Sequence, residues 1–217
     1  MRKKVIFWGG TGHAKVLREL VQCLEYELTA VFDNDPSVPP PFSDVPLYYG
    51  TEGFRQWQDT QDPREVSCVV TIGGARGHDR LMIQEFLEKE GLHPATVIHP
   101  TAFVAGSATL GKGCQILAHA NVCAEVKMGE GCILNTACGV DHECALGNGV
   151  HIGPGAILAG VVTVGDFAFV ASGAVVLPRI KIGTDVIVGA GSVVTRNVPD
   201  GMVAFGNPAK VRRPTTP

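Results

Sequence analysis

The chain of 217 residues has a mass of 22.9 kDa, and its 45% hydrophobic against 18% charged residues exclude a disordered polypeptide. A formal net charge of −3 and a pI near 6.1 leave no basic footprint for nucleic acid or an anionic membrane. Seven cysteines without a C-x-x-C pair read as reduced thiols, so a cytoplasmic setting is expected.

The chain opens with Arg2, Lys3 and Lys4, followed by only Val5 to Trp8 before a glycine pair. That run is too short for a signal-peptide core, and no later stretch has the length of a membrane span. Val5 to Trp8 instead reads as a strand, Ala14 to Tyr26 as a helix, and Leu28 to Phe32 as a second strand. A proline-rich loop runs from Pro36 to Pro46 and precedes a helix over Thr51 to Gln58. Val66 to Ile72 reads as a third strand, and His78 to Glu90 as a helix that stops at Gly91. Strands alternating with helices imply a small parallel sheet of Rossmann-like type over residues 1–95.

Two segments of this part have the chemistry of a nucleotide site. Gly9-Gly10-Thr11-Gly12-His13-Ala14 follows a strand and opens a helix, where glycines let backbone amides approach a phosphate. The spacing is not a true G-x-G-x-x-G, and a strand-to-helix turn also needs glycine for steric reasons. About twenty residues on, Phe32-Asp33-Asn34-Asp35 ends the second strand with an acid able to accept from ribose hydroxyls. The same residues suit a plain turn. Ile72-Gly73-Gly74-Ala75-Arg76 adds a third flexible loop at the same strand ends.

From Ile98 the pattern changes. Every sixth residue through Val104, Leu110, Ile116 and onward to Val188 and Val194 is aliphatic or Met, without an insertion. The position four further on is small or β-branched: Ala102, Ala108, Cys114, Ala120, Val126, Cys132, Cys138, Cys144, Val150 and Ala156. Neither a helical nor an alternating period fits. A narrow three-sided coil of short strands does, with a large and a small residue pointing inward from each side. The register places Cys114, Cys132, Cys138 and Cys144 in the interior as small hydrophobes, not as a metal site. Asp141-His142-Glu143 falls at a corner or outer surface, where an imidazole beside carboxylates can serve as a general base.

These segments together are similar to the PglD/NeuD family of hexapeptide-repeat sugar acetyltransferases. The resemblance rests on GGTGHAKV, FDND, ILNT at 133–136, DHEC at 141–144, the repeat and the closing GNPAK, and spans nearly the whole chain. It implies a Rossmann-like nucleotide-sugar-binding domain over 1–95 and a left-handed parallel β-helix with a C-terminal tail over 96–217. It further implies a homotrimer that holds acetyl-CoA between neighbouring helices, with no metal. By the same resemblance His142 is the base and Glu143 its acidic helper, Asn135 contacts the substrate, and His151, Ser172 and Ala190 contact the donor. Thr11, Gly12 and His13 match the sugar-nucleotide turn, and Asp33 with Asn34 its acidic pair, although the family usually has two aspartates there.

The expected reaction moves an acetyl group from acetyl-CoA to the amine of a nucleotide-linked 4-amino-sugar, with UDP as the nucleotide, in bacterial glycan synthesis. O-acetylation of a sialic acid or related sugar is the alternative. A carbonic anhydrase-like hydratase is more distant, because His119, His142 and His151 lack the spacing for a shared zinc.

Overall fold

A computed structural model describes residues 2–215 and divides into two compact units. One comprises Met1–Ile72 with Asp79–Val97, the other Gly73–His78 with Ile98–Pro217. The segment Gly73–His78, which the sequence attaches to the sheet domain, therefore belongs to the second unit.

The first unit is a five-stranded parallel sheet. Its strands are β1 (Lys3–Trp8), β2 (Tyr26–Asp33), β3 (Leu47–Tyr49), β4 (Val66–Val70) and β5 (His93–Pro94), in the order β3-β2-β1-β4-β5. The helices are α1 (Gly12–Cys23), α2 (Gly50–Gln58) and α3 (Gly77–Lys89). Because β1 lies between β2 and β4, the strand order reverses at its carboxyl end, the usual place for a ligand crevice in such sheets. Helix α1 ends at Cys23, not at Tyr26: Glu25 turns left-handed at φ 60°, and Tyr26 already pairs with Lys3. The short β3 at the end of the proline-rich loop has no counterpart in the expected elements, since three residues are too few to show a period.

Aromatic rings fill this unit's core. Trp8 stacks on Phe32 at 5.3 Å between centroids, and Phe54 meets Trp8, Phe32, Trp57 and Phe86 at 5.3–5.9 Å. Ring pairs at such separations contribute beyond the area they bury.

The second unit is the left-handed parallel β-helix. Each coil has three two-residue strands, and equivalent strands pair in parallel one coil apart, as Asn121, Gly139, Ile157 and Val175 do. Three sheets of six, five and eight strands make the sides of the prism. Its interior is the sixfold aliphatic series with the small series between, including the four expected cysteines, all buried. A hairpin of β-strands at Met202–Gly206 and Ala209–Pro214 extends the eight-stranded side.

The three sides differ outwardly. Thr109, Lys127, Thr163 and Lys181 make the five-stranded side polar and exposed. On the eight-stranded side Gln115, Ile133 and His151 are buried. The six-stranded side leaves apolar Phe103 and Ile157 exposed, two coils of Asn121 and Gly139 lying between them, and Leu177 is exposed just past Val176. Among the described residues no helix is long and apolar enough to cross a membrane.

Candidate active site

At the end of β1, Gly9 is required by the fold itself and Gly10 is closely packed. Gly9 has φ 118°, and a Cβ there would lie 2.8 Å from the carbonyl oxygen of Thr71. Gly10 donates its amide to Asp33 Oδ2 at 2.6 Å, and a Cβ on it would crowd Val38 and that same carboxylate. Gly12 differs. Its φ lies outside the left-handed region and nothing stands within 4 Å of where its Cβ would be. The absent side chain at Gly12 thus leaves open space at the start of α1, as a closely approaching ligand needs.

Thr11 is the N-cap residue of α1, exposed and without a side-chain capping bond, so its hydroxyl is not used to satisfy the helix end. His13 is half-buried on the first turn. The structure brings Asp33 to this turn, but its carboxylate has structural work: Oδ2 holds Gly10, and Oδ1 accepts from the Asp35 amide at 3.0 Å. Asn34 beside it is exposed.

In the prism, Asn135 and His151 come together. The Asn135 Nδ2 donates to His151 Nε2 at 3.1 Å, while its Oδ1 accepts from the Thr136 amide at 2.8 Å. The carbonyl of Gly74 lies 3.3 Å from His151 Nδ1, and since a carbonyl only accepts, that nitrogen carries the proton. His151 is 4% exposed and its ring lies 5.0 Å from that of Phe169.

The partners of segment Gly73–His78 are what the sequence did not disclose. His78 stacks on Phe167 at 3.6 Å, and its Nε2 meets Asp185 at 2.6 Å. Phe167 and Asp185 both adopt positive φ, at 62° and 56°, and Gly77 is packed so tightly that a Cβ would strike Gly149 and Phe167. With Ala75, Ile187, Gly201 and Thr215 these side chains line a recess of about 390 Å³. A pair separated by more than a hundred residues leaves no local signal. A bulky Phe167 at a left-handed corner is the one local oddity there.

His142 occupies the first position of a corner, and Glu143 takes the left-handed second position at φ 57°. Its ring Nδ1 lies 2.9 Å from Glu143 Oε2, so the proton is on Nδ1 and the lone pair on Nε2. The Asp141 carboxylate does not reach the ring; it accepts from the His142 amide at 2.7 Å and fixes the backbone instead. The pair is open to solvent, with side chains 53% and 56% exposed.

Backbone bonds sort the remaining residues by prism edge. Thr136, Pro154, Ser172 and Ala190 follow one another up one edge, each carbonyl but the last accepting from the next coil. Ala124, His142, Gly160 and Pro178 climb the next. Ser172 and Ala190 are exposed, and the apolar six-stranded side lies between their edge and that of His142. His119, His142 and His151 do not converge, and among the described residues no three His, Cys, Asp or Glu side chains are grouped to hold a metal.

The family model for bacterial transferase hexapeptide (six repeats) matches residues 161–196. Over the whole fold the chain is similar to PerB from Caulobacter crescentus, solved in complex with CoA and GDP-perosamine. Identity is 36%, the TM-score is 0.87, and the match covers 96% of this chain and 97% of that one. The acetyltransferase domain of PglB from Neisseria gonorrhoeae, in complex with acetyl coenzyme A, matches at 32% identity and a TM-score of 0.86, covering 98% of this chain and 100% of that one. WeeI from Acinetobacter baumannii shares the fold at 24% identity and a TM-score of 0.85, over 96% of this chain and 99% of its own. No curated protein sequence matches the chain. A sheet domain followed by a hexapeptide prism, shared end to end with solved relatives above 30% identity, places this chain among the sugar acetyltransferases of the hexapeptide-repeat family.

Proposed function

We propose that the protein transfers the acetyl group of acetyl-CoA to the amine of a nucleotide-linked 4-amino-sugar, with His142 as the proton acceptor. The observation that carries the reading is the His142–Glu143 pair, an imidazole at an open corner with Nδ1 held on a carboxylate and Nε2 left able to accept. The neutral amine attacks the thioester carbonyl, forming the C–N bond and an oxyanion. Nε2 removes a proton from the resulting ammonium, the C–S bond breaks, and the departing thiolate receives that proton as free CoA. Glu143 stabilises the imidazolium that exists between these steps. General-base help of this kind contributes about 10²–10⁴-fold.

The sugar nucleotide is assigned to the turn of Thr11, Gly12 and His13, with Asp33 and Asn34 alongside, where Gly12 leaves its space open. Asn135 is assigned to the sugar, and His151, Ser172 and Ala190 to the donor. PerB was solved with a GDP-linked sugar, so GDP-linked amino-sugars stand beside the expected UDP-linked ones as candidate acceptors. Acetyl-CoA and sugar nucleotides as substrates, with free cysteines, support a cytoplasmic setting.

The working form is assigned as a homotrimer whose subunits meet on the six-stranded side. Exposed Phe103, Ile157 and Leu177 lie there, between the Ser172 edge and the His142 edge, so a second copy would cover apolar surface and enclose a donor between prisms. Light scattering should report three times 22.9 kDa, and a monomer at micromolar concentration overturns this assembly. The reaction itself is tested by incubating UDP- and GDP-linked amino-sugars with acetyl-CoA and following CoA release. Release with an amino-sugar supports the reading. Release only with sugars bearing hydroxyls and no amine replaces it with O-acetylation.

A further inference from the structure

Gly160 stands in the prism where its own backbone conformation does not ask for glycine. At every corner from residues 112 and 113 to residues 190 and 191, the second residue is left-handed, the conformation glycine adopts without cost. Gly113, Gly131, Gly149, Gly155, Gly173 and Gly191 occupy such second positions. At one corner the order is inverted. Gly160 holds the first position, and Val161, a β-branched residue, is forced to φ 64° in the second. No other left-handed corner in this series has glycine first; Gly106, a coil before Ala124, precedes Ser107, which is not left-handed. Ala124 fills the corresponding place on the same edge and Pro178 the one after, so a side chain there suits the prism. Backbone geometry therefore does not account for Gly160.

What does account for it is the coil before. A Cβ built on Gly160 would run into His142 Nε2, and would lie 2.6 Å from its Cε1 and 3.1 Å from its Cδ2. The Nε2 end of the imidazole occupies the position a side chain would take, with Nδ1 still on Glu143. His142 is half exposed, so a methyl at 160 would not break the fold. It would push the ring aside, and with it Nε2.

We propose that Gly160 is a positioning residue for this reaction: its missing side chain is the seat that holds the His142 imidazole over the next coil. The inference rests on the reading of His142 as proton acceptor and adds a residue that acts only through that ring. A catalytic group displaced by about 1 Å can lose about 10²-fold in rate.

The test is Gly160→Ala, alone and combined with His142→Ala, in the full chain with both substrates saturating. Gly160→Ala should lower kcat ten- to a hundredfold while the KM for acetyl-CoA stays within about twofold. Thermal midpoint and oligomeric mass should stay those of the parent. In the His142→Ala background the same change should cost nothing further. Parent turnover in Gly160→Ala overturns the proposal, and so does an equal loss in both backgrounds, which would mean that Gly160 acts through its own backbone or on the substrate. Should His142→Ala alone keep full turnover, the proton-acceptor reading fails, and the seat is judged by NMR of the labelled imidazole. A changed Nδ1–H signal in Gly160→Ala then upholds the seat, and an unchanged one removes it.

Discussion

The two units of this chain solve the same packing problem in opposite ways. The sheet domain fills its core with large rings in contacts that do not repeat, Trp8 on Phe32 and Phe54 against Trp57. The prism fills its core with a repeated pair, one aliphatic and one small residue per side, and turns Phe103, Phe167, Phe169 and Phe205 outward. A one-off core has no internal standard, so a residue in it is understood only from its neighbours. A repeat supplies that standard. Each coil is a control for the next, and a departure from the series, such as His142 on an open corner or Gly160 in the wrong half of one, marks something packing alone does not require.

The largest expected effect falls on such a departure. His142→Ala should lower kcat by about 10²–10⁴-fold, the usual contribution of general-base help. Because the side chain is outside the inward series, the variant should keep its assembly and its thermal midpoint. Turnover near that of the parent, in folded protein with both substrates saturating, would remove the assignment. Glu143→Ala should cost less, since the carboxylate orients and stabilises the ring but does not touch the amine.

The two cores should respond differently to a change of volume. Phe54→Ala removes a ring that touches four others and should destabilise the sheet domain by about 3–5 kcal/mol. Cys138→Leu adds volume to the prism interior, where the small series exists to leave none, and should cost about 1–3 kcal/mol. Denaturant titrations followed by tryptophan emission and by circular dichroism separate the two, as Trp8 and Trp57 both lie in the sheet domain. A Cys138→Leu protein as stable as the parent would refute the need for a small residue at this position.

Why the prism was so legible, and the sheet domain less so, follows from the same contrast. The sixfold series from Ile98 to Val194 set strand positions, inward residues and the corner at His142 without any knowledge of partners. In the sheet domain the sequence pattern carries α1 past its end, because Glu25 in a left-handed turn and the pairing of Tyr26 with Lys3 depend on a strand distant in sequence. Of the site, the His142–Glu143 pair is local and could be read from adjacent residues. The Asn135–His151 bond has no signature in the sequence, since one residue sits a coil after the other and their meeting depends on the stacking offset. The hold of Gly73–His78 on Phe167 and Asp185 could not be read at all.

Glycines give a smaller effect that sharpens the comparison. In the sheet domain Gly9 packs against Thr71 and Gly10 against Asp33, while no described residue outside its own helix turn stands within 4 Å of a Cβ on Gly12. Gly12→Val should therefore fold normally and raise the sugar-nucleotide KM about tenfold, equivalent to roughly 1.4 kcal/mol. The KM for acetyl-CoA should move little, since the residues assigned to the donor lie on the prism. Equal weakening of both substrates would point to damage of the fold, and an unchanged sugar-nucleotide KM would take the nucleotide away from this turn.

The smallest expected effect on turnover is none, and it concerns the thiols that both cores bury. Burial pushes the Cys68 thiol of the sheet domain up to about 12, and the Cys138 thiol of the prism equally to about 12. The thiolate is the form that reacts, and at pH 8 a group titrating near 12 presents it about one part in ten thousand of the time. Cys123 is less buried, yet desolvation first and the neighbouring Asp141 second raise it also. Cys23 alone among the seven is exposed. Brief alkylation of the native protein at pH 8 should thus label Cys23 first and leave acetyl transfer unchanged, while unfolding should release the interior thiols together. Mass spectrometry of the labelled peptides reads the order. Rapid labelling of Cys138 in active protein would mean that the prism interior opens, and that its cysteines are not the inert small hydrophobes that the repeat makes them.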